Sequence, residues 1–377
     1  INFTLNQPAA TLWLHAHPCP STAEQVWQGL ATMVIVQDEH ESQLSIPRNY
    51  GVDDIPIILQ DRHFHKDNQF DYRADYDPDG VAGPTAVING TVNPYFDVTT
   101  QKIRLRFLNG ANRREWRLHF SDDLPFDQIA GDCSLLPKPI KLTGLMLSCA
   151  ERAEVIIDFS QYHEGDEVTL YTDQVPLLKF RIHNFAKDTT KIPDHLINLK
   201  KPTVEPSLPI RHVVMQGMDE SVAIDDKKFA MERIDAEQIV GEYQYWDVTN
   251  SNEKPGMVHP FHIHGTRFLV ITRNGKDPYP NENGFKDTIG VNPGETVRIL
   301  VKFDLPGIYM YHCHILEHED GGMMAQIEIV DPKKPHQKYQ LMDMNTLMNA
   351  LAEERGIELS NLWMAGMESY EKMGMKM

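Results

Sequence analysis

The sequence lacks both an excess of basic residues and any long apolar run. Its 36 lysines and arginines are outnumbered by 54 acidic residues, and the formal net charge is −18. This balance argues against a nucleic-acid or anionic-membrane partner, although it would attract cations and is explained equally well by solubility. Without an apolar run of transmembrane length we expect no membrane span. The 377 residues are enough for two to three domains with full cores.

Cysteine is also scarce, with four residues in the whole chain. Cys133 and Cys149 could form a disulfide, but nothing in the sequence fixes their geometry. If Cys313 binds a metal, as argued next, three thiols remain. That odd number mildly favours free buried cysteines or a reducing compartment, so cysteine usage alone does not decide the redox environment.

The most informative feature that is present is a cysteine between two histidines, His312-Cys313-His314. Residues 307–311 read as a β-strand, and alternate side chains of a strand point to opposite faces. Both histidines should therefore face one side and Cys313 the other, so that a few covalent bonds connect two metal sites. Zinc is a poor match, because structural zinc usually takes paired ligands from separate short loops.

A blue-copper ligand set can be completed on the cysteine side of this strand. Such a set contains a thiolate, two imidazoles and a distant thioether. His318 and Met323 follow Cys313 by five and ten residues, which leaves room for a loop to fold back onto the sulfur. The second imidazole should come from another strand, where His259 is available. We therefore predict a type 1 copper site formed by His259, Cys313, His318 and Met323.

Three motifs make the chain resemble the multicopper oxidases, the family of laccases, bacterial cuprous oxidases, spore-coat laccases and bilirubin oxidases. The motifs are WLHAHP (Trp13 to Pro18), HPFHIHG (His259 to Gly265) and HCHILEHEDGGMM (His312 to Met324). The resemblance extends from Ile1 to about residue 332. It implies a trinuclear copper cluster, and the ligands on this chain would be His15, His17, His262, His264, His312 and His314. A complete molecule would hold four copper ions, one of type 1, one of type 2 and two of type 3.

The family pattern also contains an early His-x-His-Gly motif, which this chain lacks. Two of the eight histidines that hold the cluster in the family are therefore missing, one for type 2 and one for type 3 copper. We expect an N-terminal segment with that motif as a partner, either as a separate polypeptide or as an omitted part of the same chain.

Strand-like segments dominate the chain and predict an all-β protein of tandem cupredoxin-like Greek-key β-sandwich domains. Asn-Gly pairs at 89, 109 and 274 are typical of turns. We place the C-terminal end of cupredoxin domain one at 1–38, a copper-free middle domain at 39–190, and a linker at 191–204. The C-terminal domain with type 1 copper follows at 205–332.

The last segment, 333–377, has a different composition and is predicted to be a short helical, methionine-rich tail. Eight of the 17 methionines lie between Met342 and Met377. Adaptable packing explains such a segment most simply. A soft-ligand segment that collects cuprous ions and a docking helix at a subunit contact are the alternatives.

The resemblance implies laccase-type oxidation of phenols, aromatic amines or cuprous ion by one-electron steps at type 1 copper. Dioxygen would be reduced to water at the cluster. Glu319 matches a proton-relaying carboxylate of the bacterial branch, so we assign it the catalytic role of proton delivery. Asp287 matches a carboxylate near the type 1 site of cuprous oxidases, and with Met218 and Asp219 it forms a candidate substrate or cuprous-ion site. Substrates should reach the metal through an exposed edge of His318 or His259.

Two functions of other classes compete with the oxidase. A copper-binding electron carrier or copper-storage protein would need only the type 1 site, with the cluster incomplete. A structural relative without redox activity is the other, and the intact type 1 set counts strongly against it. The resemblance suggests the bacterial periplasm, cell surface or spore coat, and a cytoplasmic location stays open. His63-Phe64-His65 has no partner motif, and we interpret it as a structural or surface pair.

Overall fold

The computed structural model describes residues 7–333 apart from 186, 187, 189, 204, 206 and 253–255. The methionine-rich tail predicted at 333–377 therefore lies outside the described residues, except for Lys333. In the part of the chain that is described, no helix has the length and apolar character that crossing a membrane would require.

Strands make up most of the ordered elements, and the helices are short. The first segment contains β1 (Ala10–His15), α1 (Thr22–Trp27), β2 (Ala31–Val36) and α2 (Glu39–Ser42). The middle contains β3 (Asp54–Arg62), β4 (Thr85–Ile88), β5 (Tyr95–Val98), β6 (Lys102–Asn109), β7 (Trp116–Phe120), β8 (Phe126–Ala130), β9 (Leu135–Leu142), β10 (Gly144–Leu147), β11 (Arg152–Asp158), β12 (Glu167–Thr172) and β13 (Val175–Ile182). The last part contains β14 (Ile210–Gln216), β15 (Ala223–Ile224), β16 (Ala236–Ile239), β17 (Gln244–Asn250), β18 (His259–Ile263), β19 (Phe268–Arg273), β20 (Thr288–Val291), β21 (Thr296–Val301), β22 (Gly307–Cys313), α3 (Leu316–Asp320) and β23 (Met324–Val330). Among the described residues, 3-10 turns lie at Ser121–Asp123, Asp219–Ser221 and Pro280–Glu282.

Two β-sandwiches account for nearly all of these strands, which confirms the predicted all-β class. The first packs the sheet β10-β7-β12-β13-β5 against the sheet β4-β3-β6-β11-β8-β9. In β12 the alternate residues Val168, Leu170 and Thr172 are buried, as expected for a strand with one face on a core. Phe107 and Trp116 are among the fully buried side chains between the sheets.

The second sandwich carries the cysteine strand. Its sheets have the orders β15-β14-β17-β21-β19 and β16-β23-β22-β18-β20. Trp246, Phe261 and Tyr311 are among the aromatic residues of its core, and Cys313 and Met323 are buried in the same cluster. The predicted sulfur ligands therefore lie inside the apolar core. The proposed domain boundaries stay predictions, since packed cores do not define where one domain ends.

Two of the three Asn-Gly pairs form the tight turns expected of them. Asn89 and Asn274 have φ of 49° and 48°, and each precedes a glycine that also has positive φ. The prediction of a turn at the pair at 109 was wrong. Asn109 is fully buried, and its amide donates to the carbonyl oxygens of Arg114 and Leu147. This side chain fastens two loops to the end of β6.

A buried ion network joins the two-stranded sheet β1-β2 and α2 to the first sandwich. The carboxylate of Glu154 accepts from Arg104 and Arg106, and also from the hydroxyl of Thr11 in β1 at 2.7 Å. Arg104 donates as well to Glu41 of α2. Because these charges lie out of water, each needs its partners. The network therefore fixes the position of β1, the strand that leads into His15.

Several smaller contacts complete the frame around the site. Asp320 at the end of α3 accepts from the first backbone N–H groups of α1, those of Thr22 and Ala23, at 3.2 and 2.8 Å. The predicted linker packs in part, because Leu196 is buried in a small cluster with Ile46 and its neighbours. All four cysteines are free thiols, so Cys133 and Cys149 do not pair.

Candidate metal centres

Two antiparallel strands bring the cysteine and the histidines together. β18 and β22 pair so that Phe261 lies opposite Cys313, and His262 lies opposite His312. Directly opposite residues of paired strands share one face of the sheet. Cys313 therefore points into the core of the sandwich, and His312 points to the other side.

On the core side, the ligand atoms of His259, Cys313 and His318 lie within 4.8 Å of one another. Sγ of Cys313 is 3.4 Å from Nδ1 of His259 and 3.9 Å from Nδ1 of His318. α3 turns the chain back, so that the N–H of Met323 donates to the carbonyl of His318 at 2.8 Å. Met323 is fully buried in the same core. The four residues predicted for type 1 copper thus belong to one buried region.

The chemistry of this group fits a bound copper ion. Burial lowers the pKa of His259 to about 3 and that of His318 to about 4, so both imidazoles are neutral and able to ligate. Burial raises the pKa of the Cys313 thiol, so a thiolate there needs a cation beside it. The N–H of Ile315 points at Sγ from 3.4 Å. A thiolate, two imidazoles and a thioether are the donors that copper electron-transfer sites use.

Sequence reasoning missed two polar side chains that hold the type 1 imidazoles. Oδ1 of Asp79 lies 3.4 Å from Nε2 of His318. A carboxylate accepts a hydrogen from that nitrogen, which leaves the lone pair of Nδ1 facing Cys313. The amide of Asn252 contacts Nε2 of His259 at 2.9 Å. No local signal could have revealed Asp79, which is 239 residues from its imidazole.

Neither type 1 imidazole reaches the surface, so the expectation of an exposed edge on His318 or His259 was wrong. Both residues are 0% exposed. The carboxylate of Asp79 lies between His318 and solvent, and its Oδ1 also accepts the backbone N–H of Asp219 at 2.6 Å. Asp79, whose side chain is 22% exposed, is thus a partly exposed group in direct contact with a type 1 imidazole.

On the opposite side of the strand, imidazoles from three chain segments pack against one another. The strands contribute His15 of β1, His262 of β18 and His312 of β22, and the residues just after each strand contribute His17, His264 and His314. Neighbouring rings have centroids 4.9 to 5.7 Å apart. Nε2 of His312 lies 3.0 Å from Nε2 of His264 and 3.4 Å from Nε2 of His17.

Backbone hydrogen bonds fix which nitrogen of several rings is bare. Nδ1 of His15, His262 and His312 each lies 2.9 Å from a backbone carbonyl oxygen. Because a carbonyl only accepts, each Nδ1 carries the hydrogen and each Nε2 has a free lone pair. Burial lowers the pKa of His15 to about 4 and that of His262 to about 3. Nδ1 of His314 is buried without a hydrogen-bond partner among the described residues. Nitrogen lone pairs that converge in this way fit metal cations.

Glu319 connects two of these histidines. Its fully buried carboxylate lies 3.1 Å from Nδ1 of His312 and 3.3 Å from Nε2 of His17. Burial alone would raise the pKa of Glu319, but the neighbouring His312 brings it below the ordinary value. The adjacent Asp320 has its pKa raised to about 7, mainly by burial. A buried carboxyl group, Glu319, and a partly buried one, Asp320, thus follow each other from the imidazole cluster towards α1.

Asp287 lies apart from Met218 and Asp219, so these three residues do not form the candidate cuprous-ion site. The carboxylate of Asp287 accepts two hydrogen bonds from Arg152, at 2.6 and 2.7 Å. Its backbone carbonyl accepts from His262, a histidine of the imidazole cluster. Asp219 instead contacts Asp79 beside the type 1 group. The prediction from the sequence failed because Asp287 directly precedes β20. The start of β20 pairs with β18 at His262, which belongs to the imidazole cluster.

Comparison with known proteins gives consistent matches. A family model described as multicopper oxidase matches residues 203–333. The multicopper oxidase Mco of Staphylococcus aureus is 40% identical over 332 residues, which cover 87% of this chain and 70% of that protein. The crystal structure of a multi-copper oxidase from Pediococcus acidilactici is 56% identical with a TM-score of 0.88, and the match covers 90% of this chain and 72% of that one. The cell division protein FtsP of Xenorhabdus nematophila is 35% identical over 354 residues, covering 87% and 72%.

Proposed function

This chain belongs to the multicopper oxidase family, and from that premise we propose that it is a laccase-type oxidase with dioxygen as the electron acceptor. The proposed reducing substrates are phenols, aromatic amines and cuprous ion. One observation carries the proposal: Cys313 lies in a buried sulfur and imidazole group, while the adjacent His312 lies in a cluster of imidazoles on the other side.

Copper ions are the cofactors that both groups would hold. His259, Cys313, His318 and Met323 would hold type 1 copper, and the six clustered histidines would ligate type 2 and type 3 copper, four ions in a complete molecule. When bound, copper would supply one-electron oxidation of the substrate at the first centre and four-electron reduction of dioxygen to water at the second.

The chain itself contributes a short and rigid connection between the two centres. Cys313 is covalently joined to His312 and His314, and the carbonyl of Cys313 also accepts a hydrogen bond from Nδ1 of His312 at 2.9 Å. β22 is fixed on one side by β18 and on the other by β23. Pairing on both sides keeps the distance between the sulfur and the imidazoles constant. Electrons can therefore be transferred without a movement of these side chains.

Reduction of dioxygen to water consumes protons, and Glu319 is the proposed relay of those protons. Its carboxylate touches His17 and His312 and is closed off from bulk water. A carboxylate in that place can take up a proton and pass it on towards the imidazole cluster. Asp320, with its raised pKa, would resupply Glu319 from the α1 side.

Electrons are proposed to enter past Asp79 and Asp219, since the type 1 imidazoles are buried. Two carboxylates and the adjacent Met218 offer oxygen and sulfur donors at this edge. Cations such as cuprous ion and protonated aromatic amines would be attracted there by charge, and phenols would be accepted by outer-sphere transfer. Asp79 takes the place in this proposal that the sequence had given to Asp287.

A further polypeptide segment with two more histidines is proposed to complete the cluster. The imidazoles of His15 and His17 are only partly buried, whereas those of His312 and His314 are enclosed. In the two-stranded sheet β1-β2, Leu14 and the adjoining Leu30 are 61% and 58% exposed. A sheet of two strands is marginal without a covering layer. A His-x-His-Gly segment packed on this face would bury the leucines and close the cluster.

Oxygen uptake tests the proposal against its main rival. Copper-loaded protein that is supplied with the His-x-His-Gly segment and given a phenol or cuprous ion should consume dioxygen continuously, with water and not peroxide as the product. Cys313→Ser should abolish consumption. An electron carrier or storage protein, favoured by the incomplete cluster on this chain, would be reduced once and consume no dioxygen. Continuous uptake only when a His-x-His-Gly segment is supplied would support both the oxidase and the completing segment.

A further inference from the structure

A third group of metal-ligating side chains lies outside the two copper centres. Within the described chain, His63, His65 and Asp75 have ligand atoms that all lie within 4.8 Å of one another. Nδ1 of His63 is 2.5 Å from Oδ1 of Asp75, and Nε2 of His65 is 3.3 Å from Oδ2 of the same carboxylate. The two imidazoles therefore converge on the two oxygens of one aspartate, and their ring centroids are 4.6 Å apart.

The alternation of the chain after β3 explains why both imidazoles point the same way. Phe64, between them, turns to the opposite side and packs edge-to-face on Phe70 with centroids 5.2 Å apart. Phe70 in turn packs against the small core formed around Trp27. Because Phe64 is anchored inward, His63 and His65 are both directed outward.

Hydrogen bonds in the backbone hold these side chains in place without any ion. The N–H of His65 donates to the carbonyl of Gln69 at 3.0 Å, and Asn68, with φ of 63°, closes the turn between them. The N–H of Asp75 donates to the carbonyl of Asp71 at 3.1 Å. The three donors thus come from two short turns of fixed shape, so an ion would find its ligands already assembled.

We propose that His63, His65 and Asp75 form a surface binding site for one divalent transition-metal cation. Two imidazoles and one carboxylate are a donor set that suits Zn²⁺ and Cu²⁺, and it disfavours Ca²⁺ and Mg²⁺, which take oxygen ligands. The His63 and His65 side chains are 42% and 31% exposed, whereas that of Asp75 is 13% exposed. The ion would therefore be held by the protein on one side and keep water ligands on the other. The sequence predicted His63-Phe64-His65 to be a structural or surface pair, and it gave no sign that Asp75 would meet both imidazoles.

The site is separate from the copper centres but shares a loop with one of them. Asp75 is four residues before Asp79, which contacts the type 1 ligand His318. The copper centres should therefore be loaded first and Cu²⁺ held at the surface removed with a chelator, so that an added ion is counted at the new site alone. Zn²⁺ is the appropriate probe because it has no redox chemistry and leaves the copper spectrum readable.

The test is isothermal titration of copper-loaded full chain with ZnCl₂ at neutral pH. We expect one Zn²⁺ to bind in the parent, and binding to be weakened by about tenfold or more in His65→Ala and in Asp75→Asn. Asp75→Asn keeps the shape of the side chain, so it separates the loss of a ligand charge from the loss of the fold. Thermal unfolding checks that both variants are folded. His183→Ala is the matched control, because His183 also lies 2.9 Å from an aspartate oxygen, that of Asp97, but with no second imidazole at that carboxylate among the described residues.

Three results would overturn the proposal. One is equal Zn²⁺ binding by the parent and the folded Asp75→Asn variant, which would place the ion elsewhere. Another is no Zn²⁺ bound by the parent, which would leave Asp75 as a hydrogen-bond acceptor for two histidines. The third is a loss of Zn²⁺ binding in His183→Ala as large as that in His65→Ala.

Discussion

Replacing Asp287 by alanine should destabilise the fold and should reduce the oxidation of every substrate to the same degree. Asp287 accepts two hydrogen bonds from Arg152, whose side chain is only 3% exposed. Removing one partner of a buried ion pair leaves the other charge uncompensated and costs about 3–5 kcal/mol. Arg152 would keep Asp132 at 3.9 Å and the carbonyl of Thr11. We therefore expect the lower end, about 3 kcal/mol.

Urea unfolding of the copper-free chain, followed by tryptophan fluorescence, measures this loss. The matched control is Asp97→Ala, which removes a similar two-bond pair with Arg181 at the surface. Solvent screens that pair, so its removal should leave the unfolding midpoint nearly unchanged. A loss below about 1 kcal/mol for Asp287→Ala would refute the reasoning. A selective loss of cuprous oxidation would return Asp287 to the substrate site.

Three further predictions concern other charged groups. Glu319→Gln should slow turnover with dioxygen by about 100-fold, while the reduction of the blue copper by substrate, followed by stopped flow, should be nearly unchanged. If the variant instead turned over at the rate of the parent across the pH range, Glu319 would be only a structural acid. Asp79→Asn removes a negative charge beside His318, so a redox titration should show a higher type 1 potential, and a lowered or unchanged potential would contradict the assigned contact. Burial alone would raise the pKa of Glu154, but Arg104 and Arg106 hold this pKa at about 2, below its ordinary value of 4.5. Its stabilisation is therefore complete above pH 4.5 and lost as the pH falls towards 2, so Glu154→Gln should be less stable than the parent by about 3 kcal/mol at neutral pH. This difference in the free energy of unfolding between the parent and Glu154→Gln should become smaller as the pH falls. A difference that does not depend on pH would show that the carboxylate is not held ionised.

Strand alternation and the spacing after Cys313 predicted the four residues of the type 1 group, and the family resemblance implied the six histidines of the imidazole cluster. The alternation of His312, Cys313 and His314 follows from strand geometry alone. The facing histidines of β18 were found by motif, and the register of Phe261 with Cys313 explains why the two strands combine. The all-β class was likewise predictable from alternation and turns.

Contacts between distant segments could not be predicted in the same way. Asp79, which orients a type 1 imidazole, and Asp75, which completes the third group, both come from a loop without strand or helix periodicity. Asp287 was misplaced for the same reason, since a motif gives position in the chain and not the face that the side chain occupies. Asn109 shows the converse case, in which tertiary packing overrides a turn signal.

The visible absorption spectrum of copper-loaded protein tests the central claim most directly. If Cys313 is the thiolate that links the two centres, the parent should show an intense blue band, and Cys313→Ser should lose it while keeping its fold. Cys149→Ser is the matched control, because Cys149 is an equally buried free thiol, and it should stay blue. A Cys313→Ser variant that keeps the blue band, or a folded and copper-loaded parent that lacks it, would contradict the account.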